Sequence, residues 1–356
     1  MPRLLLDKDK CLRNIEKMAR KASRNNLSLR PHCKTHQSTE IASWLRDFDI
    51  SSITVSSFQM ARYFAKAGWE DILVAFPFQP GELDHMVELL EHCKLSILVD
   101  SPAALPFLNH IPKQVGFYVD IDTGYGRTGV RAENPDLIEQ IITKAVANSK
   151  LKFRGFYCHA GHSYKAVGQK QRNAIHQKAL YDLGGLKKQF EHYNAKVLYG
   201  DTPSCSTQKE FGAIDELTPG NFFFYDLIQY SHGACNMKDI AVAMECPVAG
   251  RYPEGERILI HGGAIHFSKE SLLLNDDSIF GQLVRETDRG WTHHSQEKYL
   301  TSISQEHGVM EQCGDMIREV NIGDKLLFLP VHSCLTANLM REYQTLEGKR
   351  ISTFNS

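Results

Sequence analysis

A lysine near the start of the chain has several basic side chains beside it. In "SLRPHCKTHQS", Lys34 has Arg30, His32 and His36 within four residues. Nearby positive charge and partial burial both disfavour an ammonium ion and lower its pKa. The resulting free amine is able to form a Schiff base with a carbonyl compound. Lys34 is therefore a candidate catalytic residue, and an ordinary surface lysine in a basic loop is the alternative.

A second candidate site lies in "VHSC" near the end of the chain, where His332 and Cys334 are two residues apart. On a β-strand this spacing points both side chains to the same face. Imidazole and thiolate together suit Zn²⁺, and two protein ligands leave positions open for water or substrate, as a catalytic metal requires. The pair predicts a divalent metal site. A histidine and a cysteine packed inside a β domain are the alternative.

Two glycine- and hydroxyl-containing turns have the composition of phosphate-binding loops, namely "GDTPS" (200–204) and "TPGN" (218–221). Glycine allows the backbone to approach a ligand closely, and Thr, Ser and Asn supply neutral donors alongside backbone N–H groups. We expect a phosphate at these turns. The alternative is two ordinary Pro/Gly turns.

Aromatic and imidazole side chains surround a glycine in "YCHAGHSY". The rings and hydroxyl groups of Tyr157 and Tyr164 fit a flat ligand ring, although Tyr157 is equally suited to a protein core. The sequence assigns no role to the remaining histidines of interest, which are His159, His162, His261, His266 and His307.

Strand-like and helix-like segments alternate over the first two thirds of the chain, which predicts parallel βαβ units. About eight such units fit a (β/α)₈ barrel. An open doubly wound sheet is the alternative, but no G-x-G-x-x-G motif follows the first strand. The predicted strands cover residues 27–34, 51–57, 71–77, 94–101, 115–124, 151–161, 195–204 and 219–226.

The candidate residues cluster where these strands end. In a (β/α)₈ barrel the reactive groups lie at the carboxyl ends of the strands, so the clustering supports both the barrel and the site. Lys34 follows the first strand, Asp122 and Arg127 the fifth, His159 and His162 the sixth, and Asp201 to Ser204 the seventh, while Asn221 to Asp226 lie in the eighth.

The pattern changes near residue 240, where short apolar runs alternate with Pro, Gly and charged turns and predict a mainly β domain. The "LLLD" run at the N-terminus has no place in the barrel, so we expect it to join the β domain. The predicted domains are a barrel over residues 8–238 and a β-rich domain, carrying His332 and Cys334, over 1–7 and 239–356.

Composition limits the class of protein. The 356 residues carry a formal net charge of −1 with a pI near 7.0, which gives no general attraction to nucleic acid or to an anionic membrane. The nine cysteines have no CxxC spacing, which favours a reducing compartment. No signal peptide or long apolar run is evident. We expect a soluble cytoplasmic protein.

The motifs resemble those of the D-serine dehydratase and D-threonine aldolase family, fold-type III pyridoxal-phosphate enzymes related to alanine racemase in their barrel. The resemblance runs in order from about residue 4 to 340. It is carried by "LLLDKDKCLRNIEKM", "LRPHCKTHQS", "DIDTGYGRTGV", "GFYCHAGHSY", "GDTPSCS", "PGNFFFYD" and "PVHSC".

The resemblance implies a role for individual residues. Lys34 matches the lysine that binds pyridoxal phosphate covalently, and Arg127 matches an arginine near the phenolic oxygen of the cofactor. His332 and Cys334 match the metal pair, with Zn²⁺ or another divalent ion such as Mn²⁺ bound. The other implied cofactor-binding residues are Tyr157, Tyr164, Thr202, Gly220, Asn221 and Tyr225.

The resemblance further implies a homodimeric lyase that acts on β-hydroxy-D-amino acids. Cys334 favours a dehydratase that gives a 2-oxo acid and ammonia, since D-threonine aldolases tend towards His-x-Asp at these positions. The alternatives are retro-aldol cleavage to glycine and an aldehyde, an amino-acid racemase, and a pyridoxal-phosphate-binding protein without catalytic activity.

Overall fold

The computed structural model describes residues 1–288 and 290–354. The chain forms two compact units. Among the described residues, one comprises 1–15, 35–40, 221–288 and 290–354, and the other comprises 16–34 and 41–220. The predicted domain boundaries, 8–238 and 1–7 with 239–356, remain a prediction.

The strands of the first part of the chain are short and almost all parallel. They are β1 (Arg3–Leu6), β2 (Ser28–Leu29), β3 (Ser52–Val55), β4 (Asp71–Pro77), β5 (Lys94–Val99), β6 (Val115–Asp122), β7 (Val130–Arg131), β8 (Leu151–His159), β9 (Lys196–Gly200) and β10 (Glu216–Leu217).

Eight parallel strands of the described residues form a nearly closed barrel in the order β3-β4-β5-β6-β8-β9-β10-β2. A bridge between His32 and Thr54 brings the chain after β2 beside β3 and completes the ring. β6 is buried along nearly its whole length, as expected for a parallel strand that is covered on both faces. The predicted (β/α)₈ barrel is confirmed. One interior cluster consists of Leu73, Leu98, Tyr118, Tyr157 and Leu198.

The sequence has helix-like patterns over residues 8–25, 133–148 and 168–192, and each of these segments contains a helix. The second begins with Asn134 as its cap and Pro135 at its first position, where a missing backbone N–H costs nothing. The helices are α1 (Lys8–Arg24), α2 (Thr39–Ser43), α3 (Phe58–Lys66), α4 (Leu83–Leu89), α5 (Pro135–Val146), α6 (Gly168–Gln189), α7 (Thr202–Thr207), α8 (Leu227–Ser231), α9 (Ala264–Phe267), α10 (Met316–Glu319) and α11 (Ser333–Met340).

The second mainly β region is confirmed, and β1 joins it as predicted. β1 pairs antiparallel with β11 (Val242–Tyr252) and parallel with β21 (Glu342–Thr345). The other strands of this region are β12 (Arg257–His261), β13 (Leu272–Leu274), β14 (Asp277–Ile279), β15 (Gly281–Thr287), β16 (Gly290–His293), β17 (Tyr299–Leu300), β18 (Ser302–Ile303), β19 (His307–Met310), β20 (Lys325–Pro330) and β22 (Arg350–Ser352).

The predicted eighth strand, residues 219–226, is wrong. The eighth strand is β10, and Asn221–Phe223 forms a 3₁₀ turn. The carbonyl of Asn221 accepts the backbone N–H groups of Phe224 and Tyr225, and Tyr225 has a φ of +51°, outside the range of a strand. The run of three phenylalanines indicates burial on all sides, and here a compact turn provides that burial.

The strand predicted through "VHSC" is also wrong. β20 ends at Pro330, and α11 begins at Ser333. The carboxylate of Asp226 accepts both the backbone N–H of Ser333 (3.0 Å) and its hydroxyl (3.3 Å), which satisfies a donor that the first turn of a helix leaves unpaired. His332 therefore directly precedes the helix, and Cys334 lies in its first turn.

No helix among residues 1–288 and 290–354 combines the length and apolar character needed to cross a membrane.

Candidate active site

Lys34 lies in a turn just after the first barrel strand, at the carboxyl end of the barrel as predicted. Its side chain is exposed, and its backbone N–H points to Nδ1 of His32 at 3.4 Å. His32 itself makes the bridge to Thr54 that closes the barrel. The lysine is thus held by a turn whose position is fixed by strand pairing.

The basic surroundings expected for Lys34 are largely neutralised. Nε of Arg30 donates to Glu216 at 2.9 Å and Nη1 to Asp71 at 2.7 Å. Burial opposes the charge of Arg30, but these two carboxylates outweigh it and raise the pKa of the guanidinium. Burial lowers the pKa of His36 to about 3, so its ring is uncharged. Arg30 and His36 were expected to disfavour the ammonium of Lys34 through their positive charge, but the charge of Arg30 is paired and that of His36 is absent.

Arg127 lies in the loop after β6. Oδ1 of Asp122 accepts the backbone N–H groups of Gly124 (2.9 Å), Tyr125 (2.7 Å) and Gly126 (3.1 Å), which folds the loop back on the strand. The guanidinium of Arg127 lies 5.0 Å from the centroid of the Tyr125 ring. The loop therefore presents a cation at the carboxyl end of the barrel.

His159, at the end of β8, lies within electrostatic range of both Lys34 and Arg127. Burial lowers the pKa of His159 well below its ordinary value, and the two positive charges lower it further. Lys34, Arg127 and a neutral imidazole are thus close together on one end of the barrel. The sequence placed His159 at this end without a role.

The tyrosines and loop residues that were expected around a flat ligand lie at the same end. Tyr157 is a member of the interior cluster, which makes it part of the barrel core. The hydroxyl of Tyr164 accepts the backbone N–H of Thr202 at 3.4 Å. Thr202 opens α7 directly after β9, and Gly220 is buried in the segment after β10. The two turns predicted to bind phosphate therefore follow neighbouring strands.

The loop after β8 carries a buried polar atom and packs closely against its neighbours. Nδ1 of His162 is buried and has no hydrogen-bond partner within the described part of the chain. A Cβ on Gly161 would lie 2.4 Å from the Tyr125 ring, and one on Gly200 would lie 2.3 Å from Oγ1 of Thr218. Only glycine permits these close approaches, so the backbone packs tightly against Tyr125 and Thr218. The buried Nδ1 of His162 is the feature here that fits a ligand with polar atoms.

His332 and Cys334 form a hydrogen-bonded pair. Burial alone would lower the pKa of His332, but the hydrogen bond and charge of Cys334, with the charges of Asp226 and Glu270, raise it to about 9. Burial alone would raise the pKa of the Cys334 thiol, but His332 lowers it. Thiolate and imidazole are donors that Zn²⁺ prefers, so the donor set fits a metal.

Two further side chains contact the sulfur of Cys334. Oγ1 of Thr35 lies 3.3 Å from Sγ, and Nδ2 of Asn221 lies 3.4 Å from it. Nδ2 of Asn221 also donates to Oδ2 of Asp226 at 2.6 Å and to Oγ of Ser333 at 3.3 Å. The Asn221 side chain thus faces the metal pair, so a phosphate contact by this residue would use its backbone.

Asp226 organises this group; the sequence placed it among the polar residues of the predicted eighth strand but gave it no role. Its side chain is fully buried. One oxygen accepts from Asn221 and Ser333, and the other accepts the backbone N–H of Gln229 at 2.9 Å. The available signal was an aspartate at the end of "FFFYD", directly before a helical segment. Tyr225, which precedes it, is buried in its left-handed conformation.

A separate group of possible metal ligands consists of His261, His266 and Glu306, whose ligand atoms lie within 4.8 Å of one another. Nδ1 of His266 accepts the backbone N–H of Gly263 at 3.2 Å. A neutral ring in this arrangement carries its proton on Nε2, so neither nitrogen offers a free lone pair. We therefore assign no metal to this group.

Comparison with known protein families identifies the family to which this chain belongs. The family model described as "Alanine racemase, N-terminal domain" matches residues 6–197, more than half of the chain, and the one described as "Putative serine dehydratase domain" matches 241–346. The chain belongs to the D-serine dehydratase and D-threonine aldolase family of fold-type III enzymes.

Individual relatives in this family match over almost the whole length. The chain is 29% identical to D-serine dehydratase of Dictyostelium discoideum, covering 94% of this chain and 90% of the relative. It is 27% identical to D-threo-3-hydroxyaspartate dehydratase of Delftia sp. (strain HT23), covering 97% and 93%. The solved structure of the Delftia enzyme superposes with a TM-score of 0.91 at 24% identity over 100% of this chain and 98% of that chain. A cysteine-to-alanine variant of a D-threo-3-hydroxyaspartate dehydratase has been solved in a metal-free form.

Proposed function

We propose that this member of the family is a pyridoxal-phosphate- and metal-dependent lyase that dehydrates β-hydroxy-D-amino acids to a 2-oxo acid and ammonia. The observation that carries the proposal is the hydrogen-bonded His332 and Cys334 pair in a chain whose first barrel strand leads to an exposed lysine. A β-hydroxyl is a poor leaving group, and a thiolate–imidazole pair holds the kind of ion that assists its departure.

The residues at the carboxyl end of the barrel would hold the cofactor. Lys34 offers the primary amine for a covalent bond, and Arg127 a guanidinium for an anionic ring oxygen. Donors for the phosphate would come from the turns after β9 and β10, at Thr202, Gly220 and the backbone of Asn221. Tyr157, Tyr164 and Tyr225 would line the cofactor, and the buried Nδ1 of His162 gives this end an unused polar atom.

Pyridoxal phosphate supplies an electron sink for the bond broken at Cα, and a divalent metal supplies a Lewis acid for the departing hydroxyl. The amine of Lys34 takes the proton from Cα of the substrate. His332 and Cys334 would hold the metal, for which Zn²⁺ and Mn²⁺ are the candidates, through imidazole and thiolate donors. Loss of water from Cα–Cβ and later uptake of water release ammonia and the 2-oxo acid.

Aldolase activity is the second candidate, since it needs the same lysine and a metal. It would break Cα–Cβ after the β-hydroxyl loses its proton and give glycine and an aldehyde. Cys334 rather than an aspartate favours dehydration. A racemase has no evident use for the metal pair, and a protein that only carries the cofactor has no use for a metal beside it.

The substrate is thus proposed to be a small D-amino acid. We also propose a cytoplasmic homodimer that binds neither nucleic acid nor membranes, in keeping with the net charge of −1.

Product analysis separates the candidates. The holoenzyme with added Zn²⁺ or Mn²⁺ is incubated with D- and L-forms of serine, threonine and 3-hydroxyaspartate, and both product pairs are measured. We expect 2-oxo acid and ammonia in equal amounts from D-serine or D-3-hydroxyaspartate. Glycine with an aldehyde would establish the aldolase instead. If no β-hydroxy-D-amino acid reacts although the cofactor is bound, the carrier alternative stands.

A Lys34→Ala variant tests the covalent site without relying on turnover. We expect it to lose the visible absorbance that a lysine-bound cofactor gives. Retention of that absorbance would contradict the role of Lys34.

A further inference from the structure

A metal-bound cysteine sulfur carries no proton, so it can only accept hydrogen bonds. The Thr35 hydroxyl, 3.3 Å from Sγ of Cys334, would then be a donor. Thr35 is completely buried, so water does not compete for this hydroxyl. The bond is therefore expected to persist once the sulfur is ligated.

Asn221 supplies a second donor, because an amide nitrogen has hydrogens and no acceptor capacity. Its Nδ2 lies 3.4 Å from Sγ and 2.6 Å from the carboxylate of Asp226. That same carboxylate holds the backbone of Ser333, the residue before Cys334. The Asp226 carboxylate thus orients both the Asn221 amide and the helix turn that carries the Cys334 sulfur.

Such outer contacts matter to a metal in two ways. They fix the direction of the ligand, and they withdraw electron density from it, so that the ion stays a stronger Lewis acid. Departure of a hydroxyl group requires a strong Lewis acid, because hydroxide is a poor leaving group.

We infer that Thr35 and Asn221 are positioning residues of the metal centre, which donate hydrogen bonds to the Cys334 sulfur and tune the electrophilicity of the ion. This inference rests on the proposed metal role of His332 and Cys334. Thr35 directly follows Lys34 in the chain. The segment that carries the amine therefore also supplies a donor to the metal ligand.

The test uses the full-length protein loaded with Co²⁺, whose sulfur-to-metal absorption band reports the electronic state of the thiolate. Thr35→Val removes the hydroxyl and keeps the side-chain shape. We expect its band to move to longer wavelength, because a sulfur without that bond holds its electrons less tightly. We also expect Zn²⁺ affinity, measured by competition with a chelator, to fall about tenfold or more.

Thr353→Val is the matched control. Thr353 is likewise buried, but its hydroxyl donates to the carbonyl of Arg341 at 2.8 Å. It should lose similar stability and keep the band and the affinity of the wild type. Thr35→Ser keeps a hydroxyl and should restore both readouts, which covers the case in which Thr35→Val folds poorly.

One result would contradict the role of Thr35, and another would contradict the metal site itself. If Thr35→Val matches Thr353→Val in both readouts, the positioning role of Thr35 is wrong while the metal site stands. If the wild type shows no sulfur-to-metal band, or if Cys334→Ala leaves it intact, the proposed metal site itself fails.

Discussion

Residue type and spacing predicted where the reactive side chains lie better than what surrounds them. Lys34 and Arg127 occupy the barrel end that the sequence indicated. The charge around Lys34 differs because Arg30 pairs with Glu216, whose position 186 residues further along the chain depends on the barrel. Local sequence carries no information about such a partner. Thr35, adjacent to Lys34, was passed over because a threonine has no distinctive chemistry of its own.

His36 gives a pH prediction at this scale. Its ring is neutral in the fold with a pKa of about 3, whereas in the unfolded chain it titrates near 6.5. The unfolded state therefore takes up the proton first as the pH falls, and the stability that the neutral ring contributes is lost between these two values. Within this pH range, His36 alone should lower the equilibrium constant for folding by roughly tenfold for each unit that the pH falls.

His36→Asn serves as the comparison, because its side-chain oxygen can still accept the backbone N–H of Ser38 that His36 Nδ1 accepts at 3.1 Å. Urea unfolding of both proteins at several pH values below 6.5 measures the effect. The stability difference between wild type and variant should shift against the wild type as the pH falls. A difference that does not change with pH would show that His36 does not titrate in this way.

At the scale of elements, the alternation of strand-like and helix-like segments was enough to predict the barrel and the long helices. It failed where the chain turns within a buried segment. The phenylalanines of "FFFYD" and the apolar run before "VHSC" are buried whether the chain is extended or turned, so burial alone could not distinguish the two. The turn at Asn221 and the start of α11 both depend on Asp226, and a single buried carboxylate leaves no periodic pattern.

β8 contains an irregularity that one substitution tests. At Gly155 the pairing register between β6 and β8 shifts, and its φ is +139°. A Cβ there would lie 1.8 Å from the carbonyl oxygen of Lys196 in β9. Gly155→Ala should therefore lower the free energy of unfolding by roughly 3 kcal/mol or more.

Gly185→Ala is the control for this substitution. Gly185 lies inside α6, and a Cβ there meets no atom within 4 Å among the described residues. Alanine favours a helix over glycine, so this variant should gain up to about 1 kcal/mol. Denaturant unfolding that ranks the two variants equally would contradict the close approach of β8 and β9.

For the molecule as a whole, the two family models match successive parts of one chain, residues 6–197 and 241–346. The sequence suggested one metal pair and left His261 and His266 without a role. The structure adds a reason to exclude a metal at the latter group, since Nδ1 of His266 accepts a hydrogen bond from the backbone N–H of Gly263.

Metal stoichiometry should reflect this difference. Protein freed of metal and then loaded with Zn²⁺ should bind one ion per chain by elemental analysis. Cys334→Ala should lose that ion, and His266→Ala should retain it. Two ions in the wild type, with one lost in His266→Ala, would show that the histidine group binds metal after all.

We propose that a metal held by His332 and Cys334 assists departure of the β-hydroxyl from a substrate that reacts at Lys34. The most direct measurement is the rate of 2-oxo acid formation from D-serine before chelation, after chelation and after Zn²⁺ is returned, with cofactor content followed throughout. We predict that chelation abolishes the rate while the cofactor stays bound, and that Zn²⁺ restores it. An unchanged rate after complete removal of the metal would contradict the claim.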